Sequence, residues 1–240
     1  MPIEAIPFTD LSVEPHVRGF LHRPENDTGC GLVLTHGAGA NCQSKLLTAV
    51  ASAFAEAGCT VLRCDLPFRQ ERPHGPPFPG RAAKDQKGLE RAVMLLKERI
   101  ILKGRAQGRI FLGGHSYGGR QATILASENP QLVNGLLLLS YPLHPPRKPT
   151  ELRTSHFPAL QTPALFVHGT RDPFGSVSEM RSALEAIPAD KILLEVEGAG
   201  HDLLPRKAEG DVPKRIVEAW KRFFSTADCY ITNAEASSSR

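Results

Sequence analysis

The sequence predicts an α/β fold, a mostly parallel central sheet with helices on both faces. Two observations carry that expectation. Short apolar runs alternate along the 240 residues with longer segments of helical periodicity, the pattern of successive strand–helix–strand units. The central runs, residues 31–35 and 136–139 among them, are apolar almost throughout. Continuity rather than alternation suits strands buried on both faces.

The elements follow in order. Residues 3–9 and 17–22 read as an opening antiparallel pair. The strand over 31–35 ends in His36-Gly37-Ala38-Gly39, and a helix over 44–57 is closed by Gly58, the residue that a left-handed cap prefers. After a strand over 60–64, residues 65–80 are rich in Pro and Arg, which excludes helix and central strand alike. A surface loop is expected there, long enough to rim a binding site. Leu89, Val93, Leu96 and Ile100 set a helical stripe within 84–102. The strand over 109–113 runs directly into Gly114-His115-Ser116-Tyr117-Gly118, with a helix over 120–127 behind it. A strand over 136–139 precedes a Pro-rich excursion over 141–162, too short for a large cap. Strands over 164–167 and 192–196 and helices over 178–186 and 212–224 complete a single domain expected to span 1–225. Residues 226–240 have little to bury and are expected to form a disordered tail.

Composition narrows the function classes. A net charge of +4 with 6% aromatic residues lacks the dense basic stripe and interleaved aromatics of a nucleic-acid binder. No apolar run approaches the length of a bilayer span. The opening Met1-Pro2-Ile3-Glu4-Ala5-Ile6-Pro7 has neither the basic nor the apolar region of a secretory signal. Cys30, Cys42, Cys59, Cys64 and Cys229 are odd in number and lack metal-ligand spacing. Reduced thiols in a cytoplasmic protein are expected, with no metal and no cofactor.

The chemistry centres on Ser116. Gly-x-Ser-x-Gly between a strand and a helix places a hydroxyl on a sharply reversed backbone at the positive end of the helix, where an oxyanion is favoured. Serine needs a base to attack at neutral pH. Two later loops, His168-Gly169-Thr170-Arg171-Asp172-Pro173 and Gly198-Ala199-Gly200-His201-Asp202, follow strand ends where open α/β sheets place their sites. Asp172 is assigned as the orienting acid and His201 as the base, with Asp202 as fallback acid. The oxyanion donors are assigned to the backbone N–H groups of Ala38, with Gly39 next, and of Tyr117. His36 is expected to brace that loop.

Together Thr35-His36-Gly37-Ala38-Gly39, the Ser116 pentapeptide, Asp172 and His201 resemble the α/β-hydrolase superfamily in its lidless, dienelactone-hydrolase-like size class. The resemblance runs from the first strands to about Phe224, although dienelactone hydrolases carry cysteine where this chain carries Ser116. With Ser140-Tyr141-Pro142-Leu143-His144-Pro145-Pro146, the chain is also similar to a branch that includes testis-expressed protein 30 and subunit 3 of the NSL complex.

These features imply a serine hydrolase of small carboxylic esters or thioesters. A non-catalytic interaction module on the same fold is the alternative, as is an acyltransferase or perhydrolase using the same triad. Arg69, Arg72 and Arg81 on or near the long loop, with Arg147, Lys148 and Arg153 on the excursion, suggest a basic mouth for anionic substrates. Arg69, His144 and Arg147 are the expected rim contacts.

Overall fold

The protein is described by a computed structural model over residues 3–102, 108–204 and 211–237. Its strands are β1 (Ala5–Asp10), β2 (Val17–His22), β3 (Cys30–Thr35), β4 (Cys59–Cys64), β5 (Ile110–His115), β6 (Gly135–Leu139), β7 (Ala164–Gly169) and β8 (Lys191–Val196). The helices are α1 (Lys45–Glu56), α2 (Pro67–Glu71), α3 (Ala82–Leu102), α4 (Tyr117–Glu128), α5 (Val177–Leu184) and α6 (Val212–Ser237). The eight strands form one sheet in the order β1-β2-β4-β3-β5-β6-β7-β8. β1 and β2 pair antiparallel, as do β2 and β4, and every pairing from β4 to β8 is parallel.

Burial on both faces explains the uninterrupted apolar runs. Along β6, Leu136 and Leu138 enter one core layer while Leu137 and Leu139 enter the other. Phe166 and Val167 of β7 divide the same way. One layer includes Phe68 of α2, Leu89 of α3, Ala122 of α4 and Met180 of α5. The opposite layer includes Val50 of α1 and Ile216 and Trp220 of α6.

The strand order creates the site. The chain passes from β3 to β4 on one side, then crosses back to β5 on the other side of β3. Thr35, the last residue of β3, lies in register with Gly114. The connections leaving β3 and β5 then diverge, because α1 packs on one face and α4 on the other. A crevice opens at such a switch point, outside the carboxyl ends of the strands.

Three expectations are corrected. Residues 65–80 are not wholly loop, for α2 occupies Pro67–Glu71 and buries Phe68 and Arg69. Pro67 stands in its first turn, where the missing N–H costs no hydrogen bond. The helix α6 continues to Ser237, through most of the segment expected as a disordered tail; residues 226–237 contain neither Gly nor Pro to stop it, and 238–240 lie outside the described residues. Cys30 and Cys59 are not free thiols. They are register partners at the start of adjacent strands and form a disulfide, whereas Cys42 and Cys64 are buried and unpaired. The cysteine content therefore loses its force as an argument for a reducing compartment.

The α6 face is closed by an aromatic cluster in which Trp220 meets Phe111, Phe224 and Phe54 at ring-centroid distances of 4.2, 4.7 and 5.1 Å. Phe111→Ala is expected to lower unfolding free energy by about 3–5 kcal/mol. Trp220 is the sole tryptophan, so its fluorescence reads the urea midpoint directly, and an unchanged midpoint would refute the packing assigned to Phe111.

Three histidines are held neutral by burial. His22 accepts from Arg63 Nε at 2.8 Å, His115 donates to the His201 carbonyl at 2.7 Å, and His156 donates to Thr123 Oγ1 at 2.8 Å. Burial, with Arg63 beside His22, Arg120 beside His156 and His201 beside His115, pushes each from 6.5 down to about 4. As pH falls through this window the unfolded chain takes up these protons first, so stability drops between about pH 6.5 and 4. Each proton contributes a slope of up to about 1.4 kcal/mol per pH unit. His156→Gln should reduce the slope by about one proton, and urea midpoints that stay flat across the window would contradict the burial argument.

Candidate active site

Ser116 sits between the end of β5 and the start of α4 with φ 51° and ψ −116°, a conformation that L-residues enter only under tertiary constraint. The constraint is visible. The Ser116 N–H donates to Leu139 O at 2.8 Å, tying the turn to the neighbouring strand. A Cβ on Gly114 would meet Gly118 C at 2.6 Å and Gly119 N at 2.7 Å, and one on Gly118 would meet His36 O at 2.6 Å. Larger residues would force strand, helix and the His36 loop apart.

Ser116, His201 and Asp172 form one hydrogen-bonded chain. His201 Nε2 lies 2.8 Å from Ser116 Oγ, and His201 Nδ1 lies 2.8 Å from Asp172 Oδ2. A carboxylate at Asp172 accepts from Nδ1–H, which leaves the Nε2 lone pair to accept the Ser116 hydroxyl proton. The Asp172 carboxyl is fully buried and takes a second hydrogen bond, from the Phe174 N–H to Oδ1 at 2.9 Å. The fallback Asp202 is not needed; its Oδ1 accepts from Leu204 N at 3.2 Å.

Two loops must meet for this chain to close. Arg171 N donates to Ala199 O at 2.9 Å and Gly198 N to Thr170 Oγ1 at 2.9 Å. Any Cβ at Gly169 would sit on the carbonyl oxygens of Ala199 and Gly200. His115 secures the far side by donating from Nε2 to the His201 carbonyl, and Phe174 stacks on the His201 ring at 4.2 Å. The roles of His115 and Phe174 have no sequence signature beyond adjacency to Ser116 and Asp172.

The His36 loop approaches from the other side. His36 is fully buried, donates from Nδ1 to Gly37 O at 2.9 Å and accepts the Leu66 N–H at Nε2 at 3.1 Å. It braces the loop. Arg69 does the same from beneath, and here the expectation of a rim contact is corrected. Its guanidinium is buried and donates to Ala40 O, Ala38 O, Gly75 O and Arg72 O at 2.7, 2.8, 2.9 and 3.1 Å. Four backbone carbonyls satisfy the fork, so Arg69 holds the loop from inside.

Asp85, which the sequence reading overlooked, joins the two halves. It is fully buried on α3, accepts the Phe68 N–H at 3.0 Å and accepts the Tyr117 hydroxyl at 2.8 Å. Burial holds its carboxyl above the usual range, and burial together with Asp85 keeps the Tyr117 hydroxyl protonated. Nothing in a helical Ala-Lys-Asp-Gln string marks such a residue.

A cavity of about 610 Å³ opens over Ser116 and His201. Pro76 and Pro77 of the long loop, Pro142 of the excursion and Phe174 form its apolar wall, while Ala38 and Tyr117 lie along its floor with Ser116. Its cations are Arg120 and Arg153. The two other expected rim residues lie elsewhere. His144 is buried behind the wall, with Nδ1 on Pro145 O at 2.8 Å and Nε2 3.6 Å from Glu179. Arg147 is exposed, in a left-handed turn with φ 63°, and does not line the cavity. Among the described residues no His, Cys, Asp and Glu cluster has metal-binding geometry, and no helix is long and apolar enough to cross a membrane.

Similarity to known proteins agrees with this architecture. Over 94% of the chain the structure is similar to a dienelactone hydrolase from Anabaena variabilis ATCC 29413, with a TM-score of 0.71, 21% identity and 99% of that chain covered. It is also similar to an α/β serine hydrolase without lid from Xanthomonas campestris, with a TM-score of 0.68, 17% identity and coverage of 92% and 96% of the two chains. A Salmonella typhimurium (strain LT2) protein named as a carboxymethylenebutenolidase is 30% identical over 122 residues. That match covers 48% of this chain and 44% of the relative, so the chain spans less than half the relative's length. The alpha/beta hydrolase domain family matches residues 29–227. With that match extending from β3 into α6, the chain belongs to the alpha/beta hydrolase domain family.

Proposed function

We propose that the protein is a serine hydrolase of small carboxylic esters or thioesters, acting through an acyl-enzyme on Ser116. The observation that carries this reading is the pair of 2.8 Å contacts joining Ser116 to His201 and His201 to Asp172 at the floor of an open cavity. Ser116 Oγ attacks the carbonyl carbon while His201 Nε2 takes its proton, and Asp172 stabilises the imidazolium. The developing oxyanion is held by the backbone N–H groups of Tyr117 and Ala38. Tyr117 opens α4, where the first N–H groups have no intrahelical acceptor. His201 then protonates the leaving oxygen or sulfur, and water activated by the same imidazole frees the acid.

Acyl transfer or perhydrolysis would use the same steps with another acceptor in place of water. A purely structural module has no use for a buried carboxylate aligned through an imidazole onto an accessible hydroxyl. We also propose that the chain falls in the branch that includes testis-expressed protein 30 and NSL-complex subunit 3, on the resemblance carried by Ser140-Tyr141-Pro142-Leu143-His144-Pro145-Pro146.

A fluorophosphonate probe should label the wild type and fail to label Ser116→Ala. His201→Gln and Asp172→Asn should slow labelling on the order of 10³-fold or more. An unlabelled wild type, or equal labelling of Ser116→Ala, would end the hydrolase reading.

The brace assigned to Arg69 makes a separate prediction. Arg69→Met should lower kcat for neutral and anionic esters alike, by about 10- to 100-fold, because the loop carrying the Ala38 N–H loses its support. Selective loss of the anionic substrate through KM would instead show that Arg69 touches the substrate.

A further inference from the structure

We infer that Arg120 and Arg153 form an oxyanion-binding subsite in the wall of the Ser116 cavity. The substrate would then be an ester or thioester whose acyl chain or leaving group ends in a carboxylate or phosphate. The inference rests on the hydrolase reading of Ser116 and adds to it the chemical class of the substrate.

The first support is that neither guanidinium has an acid to neutralise it. Among the described residues neither Arg120 nor Arg153 makes an ion pair, and Arg120 Nε is buried without a hydrogen-bond acceptor. Two arginines of the neighbouring long loop are, by contrast, taken up by the protein: Arg69 by four carbonyls and Arg81 by Glu71 at 2.8 Å. Glu151, the acid whose charge reaches Arg153, is exposed and holds Lys148 at 2.7 Å.

The second support is location. Arg120 stands in the first turn of α4, its N–H bonded to Ser116 O at 3.0 Å. A cation there opposes the helix dipole, so it adds nothing to helix stability. Arg153 is pinned independently, its N–H on Leu143 O at 2.8 Å and its carbonyl accepting the Tyr141 hydroxyl at 2.6 Å. Burial and the neighbouring Arg120 both weaken the hold of Arg153 on its proton. The titratable side chains beside Arg120 offer no counter-charge, because His156 is neutral above about 4 and burial keeps the Tyr117 and Tyr141 hydroxyls protonated, the latter as a neutral hydrogen-bond partner of Arg120. Two guanidinium groups and a helix N-terminus thus converge on one cavity without an anion of the protein's own. Planar forks of this kind match carboxylate and phosphate oxygens two at a time.

Two substrates of matched length test the subsite, mono-p-nitrophenyl adipate and p-nitrophenyl hexanoate. The wild type should favour the adipate ester in kcat/KM by about 10-fold or more. That ratio should collapse toward unity in Arg120→Met and in Arg153→Met, and Arg153→Lys should retain part of it. Having two single variants guards against one that does not fold. A wild-type ratio near unity, or variants that lose both esters in proportion, would overturn the subsite. Calorimetric titration of Ser116→Ala separates this inference from the hydrolase reading, because it needs no turnover. Adipate or hexyl phosphate should bind and lose affinity by about 10-fold in Ser116→Ala/Arg153→Met. Which of the two binds distinguishes a carboxylate from a phosphate ester. Binding of neither would overturn the subsite even if fluorophosphonate labels Ser116.

Discussion

The pairing of β3 with β5 is the constraint on which the rest of the site depends. Because β4 lies on the outer side of β3, the chain must cross back before it can lay down β5. That crossing brings the ends of two strands, Thr35 and Gly114, side by side. The nucleophile and both proposed oxyanion donors are then reached within a few residues of those ends. The His36 loop leaves one strand and the Ser116 turn leaves the other, close enough that Gly118 has no room for a Cβ beneath His36 O. The hydrophobic layers on the two faces supply the free energy that holds Ser116 at φ 51°.

The support beneath the crevice is a polar network continuous with the core. Asp85 accepts from the start of α2 and from Tyr117, and Arg69 of α2 reaches the Ala38 and Ala40 carbonyls. Both proposed oxyanion donors are therefore positioned with reference to one buried carboxyl on α3. Buried networks of this kind stabilise a structure only when every member is paired, and otherwise cost more than an apolar core.

Most of the fold was legible because its signals are local. Uninterrupted apolar runs identified β3, β5, β6 and β7, and Pro and Gly marked the breaks between them. The members of the hydrogen-bonded chain were legible too, since Ser116, Asp172 and His201 each follow a strand end in an order set by the sheet. What escaped depends on non-local packing. Asp85 lies in an ordinary amphipathic helix, and only the position of α2 and Tyr117 over it turns a solvated-looking acid into a buried one. The Cys30–Cys59 disulfide escaped for the same reason. It follows from a register between two strands that spacing alone does not reveal.

The arginines show most clearly where sequence reasoning stops. Arg69, Arg147 and Arg153 all lie in Pro-rich connections after strands, and composition treats them alike. The structure gives them three different fates. Arg69 is turned inward because α2 begins at Pro67 and points its first turn at the His36 loop, where unsatisfied carbonyls await a donor. Arg147 occupies a left-handed turn on the outside of the excursion and reaches solvent. Arg153 is returned to the cavity by backbone contacts to Leu143 and Tyr141, which close the excursion on itself. A charge can recognise a ligand only if its hydrogen-bonding capacity is not already spent on the protein. By that criterion the first is an internal brace, the second a solvated surface group, and the third is left open to a substrate.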